Sequence, residues 1–329
     1  MKKILLGLTT AAVLLVSMAA QADAPIKLKF SHVVAENTPK GQMANRFKEL
    51  VDRDLKGKVE VEIYPNGQLF GDNKVLEALL LGDVQLASPS LSKFKKYTKK
   101  LQIYDLPFLF NDMAAAERFQ QSPEGQALLK TVEKKGLIGL GYMHNGMKQV
   151  SASKPLRVPE DAKGLKFRIM SSDVLAKQFE AVGATPLKKP YSEVFTLLQT
   201  KAIDGQENTW SNIRSKKFYE VQPYITSSDH GLLDYMVVTS AEFWNGLPAD
   251  IRKTLKKDLD EAVAFGNKVA AEKAQSDKQA IIDSKRTTVI ELTPEQRQKW
   301  VDAMKPVWKD FEDIVGKENL AAAIAANKK

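Results

Sequence analysis

Arg168 stands near the end of a short run, Leu165-Lys166-Phe167-Arg168-Ile169-Met170. Its alternation turns Phe167 and Ile169 to one side and Lys166, Arg168 and Met170 to the other. A guanidinium at the end of a buried strand requires an anion, because an unpaired charge removed from water is very costly. Its planar fork fits a carboxylate through two parallel hydrogen bonds, whether that group belongs to an internal Asp or Glu or to a bound acid. Position alone leaves both open. In open α/β sheets, ligands settle beyond the carboxyl ends of strands. The same rule selects Ser31-His32-Val33, Ser88-Pro89-Ser90 and, beside Arg168 itself, Ser171-Ser172. The chemistry on offer is anion recognition.

Motifs for other chemistry are missing. The histidines are His32, His144 and His230, and none are spaced as paired metal ligands. There is no HExxH, no GxSxG elbow and no P-loop. Gly139-Leu140-Gly141 places His144 where a dinucleotide fingerprint wants glycine or alanine. Neither a metal, a cofactor nor catalysis is expected. Cysteine is absent, so stability must come from packed cores rather than disulfides. The formal charge of +9 would concentrate an anionic ligand near the surface. It would equally suit nucleic acid. The run Lys93-Phe94-Lys95-Lys96-Tyr97-Thr98-Lys99-Lys100 is the obvious basic patch, and a solvated connection is its expected role.

The elements that must position these residues follow an α/β pattern. Ile26, Leu28 and Phe30 alternate with Lys27 and Lys29 as a strand. Thr38 with Pro39 starts a helix carrying Met43, Phe47, Leu50, Val51 and Leu55. A strand at Val59–Tyr64, a helix at Val75–Leu80 and a third strand near Val84 complete a unit with a mostly parallel sheet. The pattern restarts at Leu165–Met170. Ser172 caps one helix and Ser192 another, so two α/β units share the chain. From Pro248 to about Lys285 the sequence reads as one unusually long helix lying across both units. Trp300, Met304, Val307, Trp308 and Phe311 form the apolar face of a last helix. At the other end, Met1-Lys2-Lys3, the apolar run Ile4–Ala20 and Ala20-Gln21-Ala22 form a secretory signal, with cleavage expected before Asp23.

Several blocks carry more than element signals. They are Ile63-Tyr64-Pro65-Asn66-Gly67-Gln68-Leu69, Leu106-Pro107-Phe108, Lys163-Gly164-Leu165-Lys166-Phe167-Arg168, Val182-Gly183-Ala184-Thr185-Pro186, Tyr191-Ser192-Glu193-Val194 and Ala202-Ile203-Asp204-Gly205-Gln206-Glu207-Asn208. In this order and spacing they resemble the periplasmic substrate-binding subunits of TRAP transporters, the tripartite ATP-independent importers, over essentially the whole mature chain. The best fit is the dicarboxylate-binding branch, whose members take succinate, malate and fumarate. The resemblance implies a two-lobed periplasmic binding protein fold, each lobe a sheet flanked by helices, with a long helix spanning both. Lobe I would comprise 23–145 plus 234–273, and lobe II 146–233 plus 274–329. A monomer in the periplasm, membrane permease subunits as partners and no nucleic acid are implied as well.

The resemblance also implies site roles. Arg168 would hold a ligand carboxylate in a salt bridge made on closure, and Asn208 resembles the asparagine that assists it, with a helix cap as its competing role. Tyr191 falls where the family places an aromatic against the ligand, although a core position suits it equally. Lys148 stands where sialic-acid-binding relatives carry another arginine, and is expected to meet a second carboxylate with looser orientation. Ser90 aligns with a ligand-contacting position on the first lobe. His32 and Lys40 lie near the same cleft edge, Lys40 being as well suited to solvent. Trp210 and Tyr235 would wall the pocket or join the core. The same architecture would also serve a 2-oxo acid, a sugar acid, or a ligand-presenting partner of a membrane kinase.

Overall fold

The computed structural model describes residues 24–328, so the expected leader at 1–22 lies outside the described residues. β1 (Ile26–Ser31) buries Leu28 and Phe30 and turns Lys27 outward. The Thr38 hydroxyl accepts from the Gly41 amide at 3.2 Å and caps α1 (Pro39–Asp54). Pro39 occupies its first turn, where a missing N–H costs nothing. β2 (Val59–Tyr64) lies parallel to β1, α2 (Val75–Leu80) follows, and the two-residue β3 (Leu86–Ala87) pairs with the other edge of β1. Two 3₁₀ segments, Leu91–Lys96 and Lys100–Asp105, lead to α3 (Met113–Gln121), α4 (Pro123–Lys130) and β4 (Leu137–Met147).

A single residue, Lys148, separates β4 from β5 (Gln149–Ala152), where the chain enters the second sheet. There the βα pattern restarts with β6 (Lys166–Ile169), α5 (Asp173–Ala181), β7 (Thr185–Lys188), α6 (Val194–Gln199), β8 (Gly205–Asn208), α7 (Trp210–Ser215) and β9 (Tyr224–Ser227). The chain returns through β10 (Leu232–Ser240) and α8 (Ala241–Gly246) to α9 (Ala249–Asp283), then continues to β11 (Thr288–Glu291), α10 (Pro294–Met304), α11 (Trp308–Val315) and α12 (Lys317–Ala325).

The strand orders are β2-β1-β3-β10-β4 and β11-β9-β5-β8-β6-β7. Neither sheet is as parallel as the βα alternation predicts. β10 runs antiparallel to β3 and β4, and β5 antiparallel to β8 and β9. The cause is the double crossing between sheets. The β4–β5 and β9–β10 connections pass side by side in opposite directions, held by the Lys148 amide donating to the Gly231 carbonyl at 2.7 Å. These two crossings separate two lobes with a cleft between them.

The 35-residue α9 matches the expected long helix and, at 1.5 Å per residue, spans about 50 Å. Its first half packs on α1 and β4 in the first lobe through Leu255, Leu259 and Ala262. Gly266 permits that approach, since a Cβ there would stand 2.6 Å from the Met43 Cβ. Its second half reaches the second lobe, where Arg214 Nη1 of α7 meets Asp277 Oδ1 at 2.6 Å.

Three local expectations change. The single last helix is broken by a 3₁₀ turn over Lys305–Val307, because Pro306 has no N–H and its ring obstructs the preceding turn. The segment after that break packs away from the second lobe, where 274–329 is expected as a whole. Phe311, Val315, Leu320 and Ala323 join the first-lobe core around Tyr104, Phe110 and Phe119. The Trp308 indole donates to the Pro107 carbonyl at 2.8 Å. β11, paired with β9, and α10 stay on the second lobe, the α10 residue Trp300 donating to the Arg157 carbonyl at 3.2 Å. Ser192, expected as a helix cap, lies instead within a 3₁₀ turn (Tyr191–Glu193) that precedes α6.

Candidate functional site

A cavity of about 430 Å³ occupies the interlobe cleft. The second lobe supplies Arg168 from the end of β6, Asn208 from the end of β8, Asn212 from α7 and Tyr191 from the turn before α6. The first lobe supplies Ser90, Lys93, Asp72 and Tyr235. Parallel strands ending in the same direction bring Arg168 and Asn208 to one edge, since β6 and β8 pair directly, Arg168 opposite Gln206.

Arg168 is only 2% exposed. Its Nε donates to the Lys189 carbonyl at 2.9 Å, which fixes the plane of the fork. Nη1 and Nη2 have no hydrogen-bond partner, and no carboxylate lies within ion-pair distance, among the described residues. Burial pushes the guanidinium down to about 10, against the opposing field of Glu207. An internal counter-ion, one of the two explanations open from sequence, is therefore not what Arg168 has. A buried cation whose donors face a cavity has the chemistry to take an anion there.

Asn208 is oriented by its neighbours. Its Oδ1 accepts from Asn212 Nδ2 at 2.8 Å and from the Thr209 amide at 3.1 Å. Nδ2 is left as a donor with no acceptor among the described residues. The cap of α7 is Thr209, whose hydroxyl accepts from Asn212 N, so capping is not the role of Asn208. The Tyr191 ring packs edge-on against Phe218, with 6.0 Å between centroids, and forms a wall of the cavity. Tyr235 lies across from it and receives Asn145 Nδ2 at 2.9 Å and Asn212 Nδ2 at 3.4 Å on its hydroxyl.

The structure separates the remaining expected residues from the cavity. Lys148 is fully buried at the crossing, with Nζ 2.9 Å from Glu207 Oε1. Glu207 Oε2 accepts from Gln178 at 2.8 Å and lies 2.8 Å from His230 Nε2. Burial would raise Glu207, but Lys148 and His230 hold it at about 2. Lys148 therefore already has its carboxylate and does not line the cleft. Trp210 lies on the far side of the crossing, in a groove under α9. Ser171 lies at the rim, its hydroxyl 3.5 Å from Asn73 Oδ1 of the other lobe.

His32 and Lys40 lie behind the first-lobe wall. Lys40 donates to the Ser88 carbonyl at 2.7 Å and its Nζ sits 3.6 Å from the Tyr235 ring centroid. Burial lowers Lys40 to about 8. Burial and the Lys40 charge together push His32 down to about 3, so its imidazole is neutral. Lys40 thus stands behind the cavity wall, a cation against the face of the Tyr235 ring that lines it.

Lys93 was missed. It falls within the run expected to be a solvated connection, yet it lines the cavity on the lobe opposite Arg168. Its Nζ donates to Asn73 Oδ1 at 2.8 Å. Burial lowers it to about 8; the Asp72 carboxylate in the same cavity opposes that shift, and the Arg168 charge adds to it less strongly. Its placement follows from local geometry that the sequence pattern does not show. The 3₁₀ turn from Leu91 to Lys96 repeats every three residues, so Lys93 stands over Ser90 on the cleft side. Asn212 and Asp72 carried no signal either.

Known proteins place this geometry in a family. Residues 30–313 match the model for "Bacterial extracellular solute-binding protein, family 7". A C4-dicarboxylate-binding periplasmic protein of Shewanella loihica is 65% identical, covering 99% of this chain and 97% of its own. A TRAP periplasmic solute-binding protein of Shewanella oneidensis, solved with bound succinate, is 66% identical with a TM-score of 0.92, over 93% of this chain and 100% of that one. Another from Pseudomonas aeruginosa, with bound L-malate, is 46% identical with a TM-score of 0.85, over 87% and 100%. With nearly full-length matches in sequence and in fold, the chain belongs to the family 7 bacterial extracellular solute-binding proteins.

Proposed function

We propose that this protein is the periplasmic subunit of a TRAP transporter, capturing a four-carbon dicarboxylate such as succinate, malate or fumarate and delivering it to the membrane permease. The observation that carries this reading is the buried guanidinium of Arg168, without an ion-pair partner among the described residues, facing a second cation, Lys93, across an interlobe cavity. One carboxylate takes the Arg168 fork, and Asn208 Nδ2 donates to an oxygen that the fork leaves free. Lys93 from the other lobe takes the second carboxylate, so that a diacid ties the lobes together where a monoacid would leave like charges facing each other. Ser90 and Tyr191 shape the space between them. Closure excludes water, strengthens both ion pairs and forms the surface that the permease recognises. The ligand is bound and released unchanged. The relatives solved with succinate and L-malate support the same ligand class.

A thermal-shift panel tests the assignment, because a ligand that binds only the folded protein raises its melting temperature. Succinate, malate and fumarate are expected to raise it strongly, and 2-oxo acids and sugar acids weakly. A shift with a monocarboxylate and none with the four-carbon diacids would overturn the assignment.

A further inference from the structure

The mouth of the cleft carries a charge cluster that the ligand does not need to touch. Lys95 Nζ lies 2.5 Å from Asp173 Oδ2, and Lys188 Nζ lies 3.0 Å from Asp173 Oδ1. Asp173 and Lys188 belong to the second lobe and Lys95 to the first, so the Lys95–Asp173 pair crosses the cleft. Asp173 is the first residue of α5, immediately after the Ser172 cap, where a negative charge is favoured by the helix N-terminus. Lys188 holds its other oxygen. The partner for Lys95 is thus set in place by its own lobe.

Each facing segment has an inner and an outer charge. The turn from β6 into α5 presents Arg168 to the cavity and, five residues later, Asp173 to the rim. The 3₁₀ turn Leu91–Lys96 presents Lys93 to the cavity and Lys95 to the rim. Without ligand, bringing the lobes together drives the two inner cations toward each other in a partly desolvated space where Asp72 supplies one negative charge against two positive ones. The outer charges attract. We infer that the Lys95–Asp173–Lys188 cluster is an interlobe latch set against Arg168–Lys93 repulsion, so that closure is held firmly only after a dianion neutralises the inner pair. This rests on the diacid reading above. Lys95 and Asp173 remain 41% and 38% exposed, so the pair is worth a few-fold in an equilibrium constant. That is enough to slow reopening around a ligand, and too little to hold an empty, self-repelling cleft shut.

The test is stopped-flow release of succinate from the wild type, Lys95→Met, Asp173→Asn and the double variant, at low salt and at about 0.5 M salt. At low salt each single variant is expected to release succinate about threefold faster, with association changed less, and the double variant no faster than the singles. At high salt the four proteins should converge. Unchanged release in the single variants, or additive effects in the double variant, would overturn the latch. Failure of the wild type to bind succinate, malate or fumarate would instead refute the diacid reading on which the latch depends.

Discussion

Replacing Arg168 offers two measurements of opposite sign. In Arg168→Lys the charge stays, but the fork and the Nε bond to the Lys189 carbonyl are lost. A hydrogen bond to a charged group is worth about 1.5–3 kcal/mol net. Losing one of two such bonds, and the orientation of the other, should cost about 2–4 kcal/mol, or roughly 30- to 1000-fold in Kd. Titration calorimetry with succinate at fixed ionic strength measures this directly. The second measurement is the stability of the ligand-free protein. Burial holds Arg168 at about 10 rather than its ordinary 12.5, a cost of about 3 kcal/mol for keeping the charge in place. Arg168→Met removes that cost and forfeits the Lys189 bond. The ligand-free variant should therefore gain about 1–2 kcal/mol, raising its melting temperature by roughly 2–6 °C. A residue held by an internal ion pair would do the reverse and destabilise the fold when removed. Binding within threefold of wild type in Arg168→Lys, together with a lower melting temperature in Arg168→Met, would refute the clamp.

Lys148→Met should destabilise the protein by about 3–5 kcal/mol in denaturant melts, because it strands the buried Glu207, while the preference for diacids over monoacids in the folded fraction stays unchanged. Lys93→Met should weaken succinate binding at least tenfold and monoacid binding far less; equal losses would remove it from the second carboxylate. Because burial lowers Lys93 to about 8, diacid affinity should fall as pH rises through 8. Calorimetry at pH values on either side should show that slope reduced in Lys93→Met, with the part due to Lys40, also at about 8, remaining. Asp258 is buried between α1 and α9, and burial and the neighbouring Asp54 raise it to about 6. The native state then holds a proton there that the unfolded chain releases near 4, so stability falls as pH rises from about 4 to 6 and stays low above. Thermal melts should find Asp258→Asn more stable than wild type at pH 7.5, with the gap closing by pH 4.

Much of the architecture is written in local pattern. Alternation at Ile26–Phe30, the Thr38-Pro39 start of α1, the Ser172 cap of α5 and the length of α9 follow from period and capping, which depend on near neighbours in the chain. The ordered blocks around Arg168 and Asn208 carried the family, and with it the expectation of an acid. Where the last helices dock was not legible, because an apolar face specifies that it will be buried and not what will bury it. The sheet directions were hidden for a similar reason: they follow from where the chain crosses between lobes, and that depends on long-range pairing.

The amino-acid sequence by itself determined that Arg168 would sit at a strand end and need an anion. Only the tertiary structure decided that no side chain among the described residues supplies that anion. It likewise decided that Lys148, a cation at a plausible family position, is already neutralised by Glu207, while Lys93, part of an ordinary lysine run, faces the cavity. Charge type is a property of the residue, but whether a charge is free is a property of everything folded around it, since an ion pair needs a partner within about 4 Å and that partner can come from anywhere in the chain.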